Sequence, residues 1–250
     1  MTLMRSFLSA AVDFCCTGSC VNCGEHSPGG QPLCAHCAAE CQVVISRPRS
    51  RDCAKPLAYA DARCPFCAAK PIKIFDRIVA LGHFEPPLRE LIHAAKYHRA
   101  WEMADYLAKM LLRDPQVQEF LQQTDVLVPI PLHPLRRWSR GYNQAQLIAE
   151  RLARPFAHLR CRNALRRIRY TPTQTLIHSL KGREENLQGA FALRRHDGLA
   201  DKRVAVVDDV TTSGATLAAA AKQIRLARPS SICALVVCVA DPRQRSFQAV

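Results

Sequence analysis

Apolar residues in this chain gather into short runs separated by amphipathic stretches, and their alternation predicts the fold. Ile78–Phe84 is largely apolar between Arg77 and Glu85, the pattern of a buried strand. Pro86-Pro87 opens the next segment, where Leu88, Leu91, Ile92 and Ala95 recur at helical spacing and predict a helix from Leu88 to about Tyr97. A second helix is expected near Trp101–Leu112. Asp125–Ile130 reads as a short buried strand stopped by Pro129 and Pro131. From Gly141 to Ala153, Leu147, Ile148 and Leu152 share one face of a predicted helix. Arg203–Val207 is an apolar strand ending in Asp208 and Asp209, Ala215–Arg225 is predicted helical, and Ser231–Ala240 is another buried strand. Strands alternating with helices predict an α/β fold, a parallel sheet flanked by helices. Residues 155–190 are polar and basic and receive no assignment. No internal repeat is visible beyond the Cys-x-x-Cys pairs.

Composition divides the chain. It has 250 residues, 48% of them hydrophobic, with 16 Pro and 10 Gly, which fits a globular core and excludes a disordered chain. Ten of its 13 cysteines fall before residue 68. Residues 15–70 have few long apolar runs, so a metal would have to organise them. The expected division is a Cys-rich module over 15–70, an α/β domain over 71–242 and a tail over 243–250. The first residues loosely imitate a signal peptide, but Asp13 interrupts a short apolar run. No stretch approaches the ~20 apolar residues of a spanning helix. The expectation is a cytoplasmic protein without membrane insertion, whose paired cysteines are metal ligands or redox groups rather than disulfides.

Three pairs stand out: Cys20 with Cys23, Cys34 with Cys37, and Cys64 with Cys67. Each two-residue spacer lets both thiolates face one ion, and two such knuckles complete a tetrahedral S4 site suited to structural Zn2+. A redox Cys-x-x-Cys normally stands singly at a helix start, so several pairs favour metal. The first two pairs make one closed site. Cys53, Cys64 and Cys67 form an incomplete second one, because a fourth knuckle would begin at residue 50, which is Ser50. His36, Cys41, Cys15 and Cys16 are the other donors within reach in sequence, and none of them is compelling.

The formal net charge is +14, and 27 of the 35 basic residues are Arg. Arg clusters at 136–140 and 160–169 suit planar contact with phosphate, on small molecules or nucleic acid alike. The plain alternative is a compositional habit, or a solvated helix start for Arg136, Arg137 and Arg140.

The sharpest signal is Arg203–Thr216, RVAVVDDVTTSGAT. A strand runs into two carboxylates, then a hydroxyl-rich turn with Gly214, then a helix. In open α/β sheets, ligands bind beyond the carboxyl ends of strands. Thr211, Thr212, Ser213 and Thr216, with the N–H groups of the helix start, make an anion cradle. Asp208 and Asp209 suit ribose hydroxyls or a hydrated Mg2+. The combination describes a sugar phosphate with free hydroxyls. Gly-Lys-Ser/Thr and G-x-G-x-x-G are both missing, which excludes a Walker A loop and a dinucleotide fingerprint.

VAVVDDVTTSGAT resembles the 5-phosphoribosyl-1-pyrophosphate (PRPP) signature of type I phosphoribosyltransferases. With the cysteine module ahead of it, and with LIHAAKYHR, VPIPLHPLRRWSRGYNQAQLIA and TPTQTLIHSLKGREENLQGAF between, the chain resembles the ComF family over roughly residues 15–240. The resemblance implies a zinc-ribbon module before a phosphoribosyltransferase-type sheet. It implies that Asp208 and Asp209 hold the ribose hydroxyls of PRPP, with Mg2+. Thr211, Thr212, Ser213, Gly214, Ala215 and Thr216 would bind the 5-phosphate, and Val210 beside them belongs to the same PRPP-binding stretch. The loop at Pro131, Leu132 and His133 would lie against the pyrophosphate, with Arg136, Arg137 and Arg140 beside it. Residues 166–190 would form a hood in which Arg183 and Asn186 contact substrate, and Lys96 is a further candidate. Phosphoribosyl transfer to an unidentified acceptor is one implied activity, with Asp208, Asp209 and Arg183 as its catalytic residues. The other is a competence role in DNA uptake, with single-stranded DNA or other competence proteins as partners.

Overall fold

A computed structural model describes residues 18–69, 74–97, 100–170, 187–194 and 198–240. Residues 1–17 with Cys15 and Cys16, the span holding Arg183 and Asn186, and the tail lie outside it. Helices α1 (Ala35–Ser46) and α2 (Pro65–Ala69) belong to the Cys-rich module. Then come β1 (Ile78–His83), α3 (Leu88–Tyr97), α4 (Ala100–Arg113), α5 (Pro115–Gln122), β2 (Val126–Pro129), α6 (Pro134–Arg140) and α7 (Gln144–Ala153). The chain continues through β3 (Arg160–Cys161), β4 (Leu165–Arg167), β5 (Phe191–Leu193), β6 (Arg203–Thr211), α8 (Ala215–Ile224) and β7 (Ser231–Val239).

Among the described residues, β1, β7, β6, β2 and β3 lie side by side in that order and every pairing is parallel. Alternation along β6 divides its side chains between two cores. Ala205 and Val207 pack with Leu91, Leu107 and Ile148 from the helices α3, α4 and α7, whereas Val204 and Val206 pack with Leu217 and Ile224 of α8. The expected α/β architecture is therefore present. No helix among the described residues is long and apolar enough to cross a membrane.

Three elements differ from the expectation. α5 forms because the Asp114 carboxylate accepts the N–H groups of Gln116 and Val117 at 2.8 and 3.1 Å, and Pro115 occupies the first helical position. The helix expected from Gly141 begins later. Gly141 ends α6 with φ 78°, and Asn143 caps α7 by accepting the Ala145 N–H at 3.2 Å. The basic span contains β3 in the main sheet, and β4, which pairs antiparallel with β5.

The Cys-rich module docks through α1 on β1. A Cβ added at Gly82 would lie 3.0 Å from Leu88 Cδ2 and 3.6 Å from Ile45 Cα, so glycine sets how closely α1 approaches the strand. Arg49, following α1, makes a buried ion pair with Asp114, both side chains over nine-tenths covered. Cys37, Cys41 and Ile45 share one core with Leu81 and Leu91, which spans the expected boundary at residue 70.

Candidate functional site

Strand β6 does not stop before its carboxylates. Its ladder with β7 continues through Asp208 opposite Val236, Val210 opposite Cys238 and Thr211 opposite Val239. This corrects the expectation of a strand ending at Val207, and the reason is pairing: a neighbouring strand long enough to satisfy the backbone carries the ladder past polar side chains. Inside a strand, adjacent side chains face opposite sides of the sheet. Asp209 accordingly shares the face of Val207 and meets Lys96, in the last turn of α3, with Nζ 3.2 Å from its carboxylate. Asp208 shares the face of Val206, toward α8 and β4.

The two carboxyls are consequently unlike. Burial alone would raise Asp209, but the charge and hydrogen bond of Lys96 outweigh it and hold the carboxyl below its ordinary value. Burial, and then the negative charge of Asp209, push Asp208 well above its ordinary value. Each side chain also accepts the next backbone N–H, Asp209 N to Asp208 at 2.9 Å and Val210 N to Asp209 at 2.8 Å.

Of the hydroxyl-rich stretch, Thr211 is the buried last residue of β6, and its carbonyl accepts the Ala240 N–H at 2.8 Å. Thr212, Ser213 and Gly214 make the turn. Gly214, at φ 77°, swings the chain into α8 without contributing a side-chain cap, while Ser213 Oγ accepts the Ala215 N–H at 3.4 Å. The start of α8 thus faces the same rim as the carboxylates.

The loop after β2 runs through Pro131 and Leu132 to His133, whose Nδ1 accepts the Leu135 N–H at 3.3 Å and caps α6. Asn143 donates to the Ile130 carbonyl at 2.9 Å and ties the loop to α7. The guanidinium of Arg136 lies 5.5 Å from the ring centre of Tyr170, which also packs edge-on against His133 at 5.2 Å. Arg137 is exposed on α6 and Arg140 partly so. Arg183 lies outside the described residues.

Two residues enter the site that motif reading missed. Arg167, on β4, stands over the Phe191 ring at 5.4 Å. Burial, then the like charge of Arg136, lower its pKa, and Asp208 opposes them, so Arg167 lies within electrostatic reach of both groups. Tyr170 lies three residues further on. The Arg run at 160–169 was the available signal, but nothing local distinguished Arg167 within it.

In the Cys-rich module, the sulfurs of Cys20, Cys23, Cys34 and Cys37 lie within 4.8 Å of one another, and so do those of Cys53, Cys64 and Cys67. Cys23 and Cys34 are 3.8 Å apart and Cys53 and Cys64 3.5 Å. A tetrahedral zinc with bonds of about 2.3 Å has sulfur–sulfur edges of about 3.8 Å, so both clusters fit a zinc-sized ion. Cys20 is lowered to about 6 against the penalty of burial, because the backbone N–H groups of Cys23, Cys34 and Asn22 point at its sulfur. Of the donors considered for the second cluster, Cys15 and Cys16 lie outside the described residues, and Cys41 and His36 are placed elsewhere. Cys41 is buried in the core, where burial pushes its thiol up to about 11, and exposed His36 lies 3.4 Å from Glu40.

The module also carries a repeat, visible in spacing and matched in backbone. Its ligand positions recur displaced by 30 residues (20 to 50, 23 to 53, 34 to 64, 37 to 67). Gly24 and Ala54 both take positive φ, 79° and 56°. Their N–H groups return to the carbonyls of Cys20 and Ser50 at 2.9 and 2.8 Å, and the bridge Ser19–His26 is matched by Arg49–Pro56.

Comparison with known proteins gives a consistent set of relatives. No family model matches the chain. It is 33% identical over 211 residues to competence protein F of Haemophilus influenzae, covering 82% of this chain and 90% of that protein. It is 34% identical over 172 residues to the DNA utilization protein YhgH of Escherichia coli K12, covering 66% of this chain and 73% of the relative. The YhgH protein of Salmonella typhimurium is 33% identical over 190 residues, 74% of this chain and 81% of that protein.

Proposed function

The chain belongs to the ComF family, that of competence protein F and the YhgH proteins, and on that premise we propose that it serves DNA uptake or utilisation through a sugar-phosphate site at the carboxyl rim of its sheet. The ligand class proposed is PRPP with Mg2+. One observation carries it: Asp208 and Asp209 lie toward the carboxyl end of β6, on opposite faces, ahead of the Gly214 turn onto α8. Carboxylates at a rim accept ribose hydroxyls, and N–H groups at a helix start receive a phosphate. Bound there, Mg2+ would neutralise the pyrophosphate. Lys96 offsets part of the carboxylate charge, and Arg136 and Arg167 supply positive charge on the β4 side.

Calorimetric titration with PRPP and Mg2+ tests the reading. Binding is expected for the wild type, with a loss of at least about 100-fold in Asp208→Asn/Asp209→Asn, the cost of two charge-assisted contacts. Equal heats from the two proteins would refute the site. Whether the bound sugar phosphate is turned over is a separate question, answered by looking for pyrophosphate release.

The Cys20, Cys23, Cys34 and Cys37 cluster is proposed to hold a structural zinc, because four thiols close the tetrahedron and leave no position for substrate.

A second reading, single-stranded DNA binding, is favoured by α6. Trp138 is 87% exposed there, among Arg136, Arg137 and Arg140. An exposed indole beside guanidinium groups suits base stacking with phosphate contacts. Affinity for an oligothymidylate should fall steeply with salt and drop about tenfold or more in Trp138→Ala. Binding insensitive to salt and to this substitution would rule the reading out.

A further inference from the structure

The second cysteine cluster has three sulfurs and, at its fourth corner, a hydroxyl. We propose that Ser50 Oγ completes a second zinc site with Cys53, Cys64 and Cys67, giving an S3O centre beside the S4 centre. The proposal rests on the reading of the cysteine clusters as zinc sites and goes beyond it in assigning the missing ligand.

Three observations carry it. The first is position. Ser50 is the counterpart of Cys20 in the 30-residue repeat, with the same return hydrogen bonds: Cys20 N to the Glu25 carbonyl at 2.8 Å, and Ser50 N to the Lys55 carbonyl at 2.9 Å. The second is distance. Ser50 Oγ lies 3.8 Å from Cys67 Sγ. Bonds of about 2.3 Å to sulfur and about 2.0–2.2 Å to oxygen give a tetrahedral O–S edge of about 3.6 Å. The third is polarity. Ser50 Oγ accepts the N–H groups of Asp52 at 3.3 Å and Cys53 at 3.4 Å. The N–H groups of Gly24 and Ala54 return to the carbonyls of Cys20 and Ser50 at 2.9 and 2.8 Å, so the two first positions sit in the same backbone turn. The side chain is buried at 6% exposure, with its oxygen toward the sulfurs rather than toward solvent.

The chemistry differs from that of the S4 site in one respect. A hydroxyl has two lone pairs; the long contacts to Asp52 and Cys53 share one and leave the other for Zn2+, and as a neutral donor it binds more weakly than a thiolate, so this ion exchanges faster. The protein would carry one inert zinc and one labile zinc.

Native mass spectrometry of the full chain, purified without a histidine tag, should count two zinc ions in the wild type. Release to a chromogenic chelator should show a slow and a fast phase. Ser50→Cys should slow the fast phase at least about tenfold, and Ser50→Ala should accelerate it by a similar factor, the range found when support of a metal site is altered. In the cobalt-substituted protein, the thiolate charge-transfer absorption should rise in Ser50→Cys by one sulfur's share. One zinc in the wild type, with a second only in Ser50→Cys, would overturn the proposal and leave the S4 site standing. Release from Ser50→Ala at the wild-type rate would overturn it too, by assigning the corner to water. No zinc at all would remove both readings.

Discussion

At the scale of single residues, the two adjacent aspartates have different jobs because a strand sends neighbours to opposite faces. Asp209 is neutralised by Lys96, whereas Asp208 is held against burial and against its neighbour's charge. Its raised folded pKa means that the native state binds a proton more tightly than the unfolded chain. Ionisation of Asp208 therefore costs stability as pH rises above the ordinary value of 3.8, and the cost is complete above the folded pKa. Asp208→Asn should raise the melting temperature near neutral pH by about 2–4 °C, the equivalent of ~1 kcal/mol in a chain of this length, while weakening the sugar-phosphate ligand. The gain should vanish in acid below 3.8, where Asp208 is protonated in both states. Calorimetric melting of the two proteins across pH checks this, and a variant less stable than wild type at pH 7 would contradict it. That both aspartates lie late in an apolar strand, ahead of a Gly turn and a helix, was legible from VAVVDDVTTSGAT. Their division between faces was not, since it depends on the ladder with β7 continuing to Thr211.

At the scale of elements, one buried ion pair adds to the packing that joins the Cys-rich module to the rest of the chain. Asp114 both caps α5 and receives Arg49 from the chain that follows α1. Asp114→Ala removes the cap, worth ~1 kcal/mol, and strands a buried guanidinium, so the total cost should reach about 3–5 kcal/mol. Replacing both partners, Arg49→Met with Asp114→Asn, should recover much of that loss, because Asn retains the cap and no charge is left unpaired. Urea unfolding measures both; a single variant within about 0.5 kcal/mol of wild type would mean that the pair does not hold the joint. The Asp-Pro of α5 was a readable start signal. The pairing of Asp114 with Arg49, 65 positions away, was not, because local pattern carries no information about which distant charge arrives.

At the scale of the whole molecule, the module and the sheet share a core, since Cys37, Cys41 and Ile45 pack in the same cluster as Leu81 and Leu91. Removing zinc should therefore loosen more than residues 18–69. A chelator is expected to lower the single thermal transition by about 10 °C, as several kcal/mol of metal-coupled folding are withdrawn. A separate low-temperature transition, with the main one unmoved, would show the module melting alone. Residue spacing revealed the module itself, because ligands on a knuckle are local in sequence. It also put Ser50 at the head of a fourth knuckle, but did not reveal the backbone geometry that Ser50 and Ala54 share with Cys20 and Gly24, because their residue types differ.

The amino-acid sequence by itself determined the strands and helices whose apolar period is strong, the parallel α/β class, the pairing of cysteines into clusters and the two aspartates late in β6 before the Gly214 turn. These depend on interactions within a few residues, which periodicity and spacing record. Only the tertiary structure decided that Asp209 meets Lys96, that Arg167 stands over Phe191, that α1 closes on Gly82 and that Ser50 turns its hydroxyl toward Cys67. Each of those contacts joins segments distant in the chain. Their meeting is set by packing and strand order, which are properties of the assembled core and not of any local stretch.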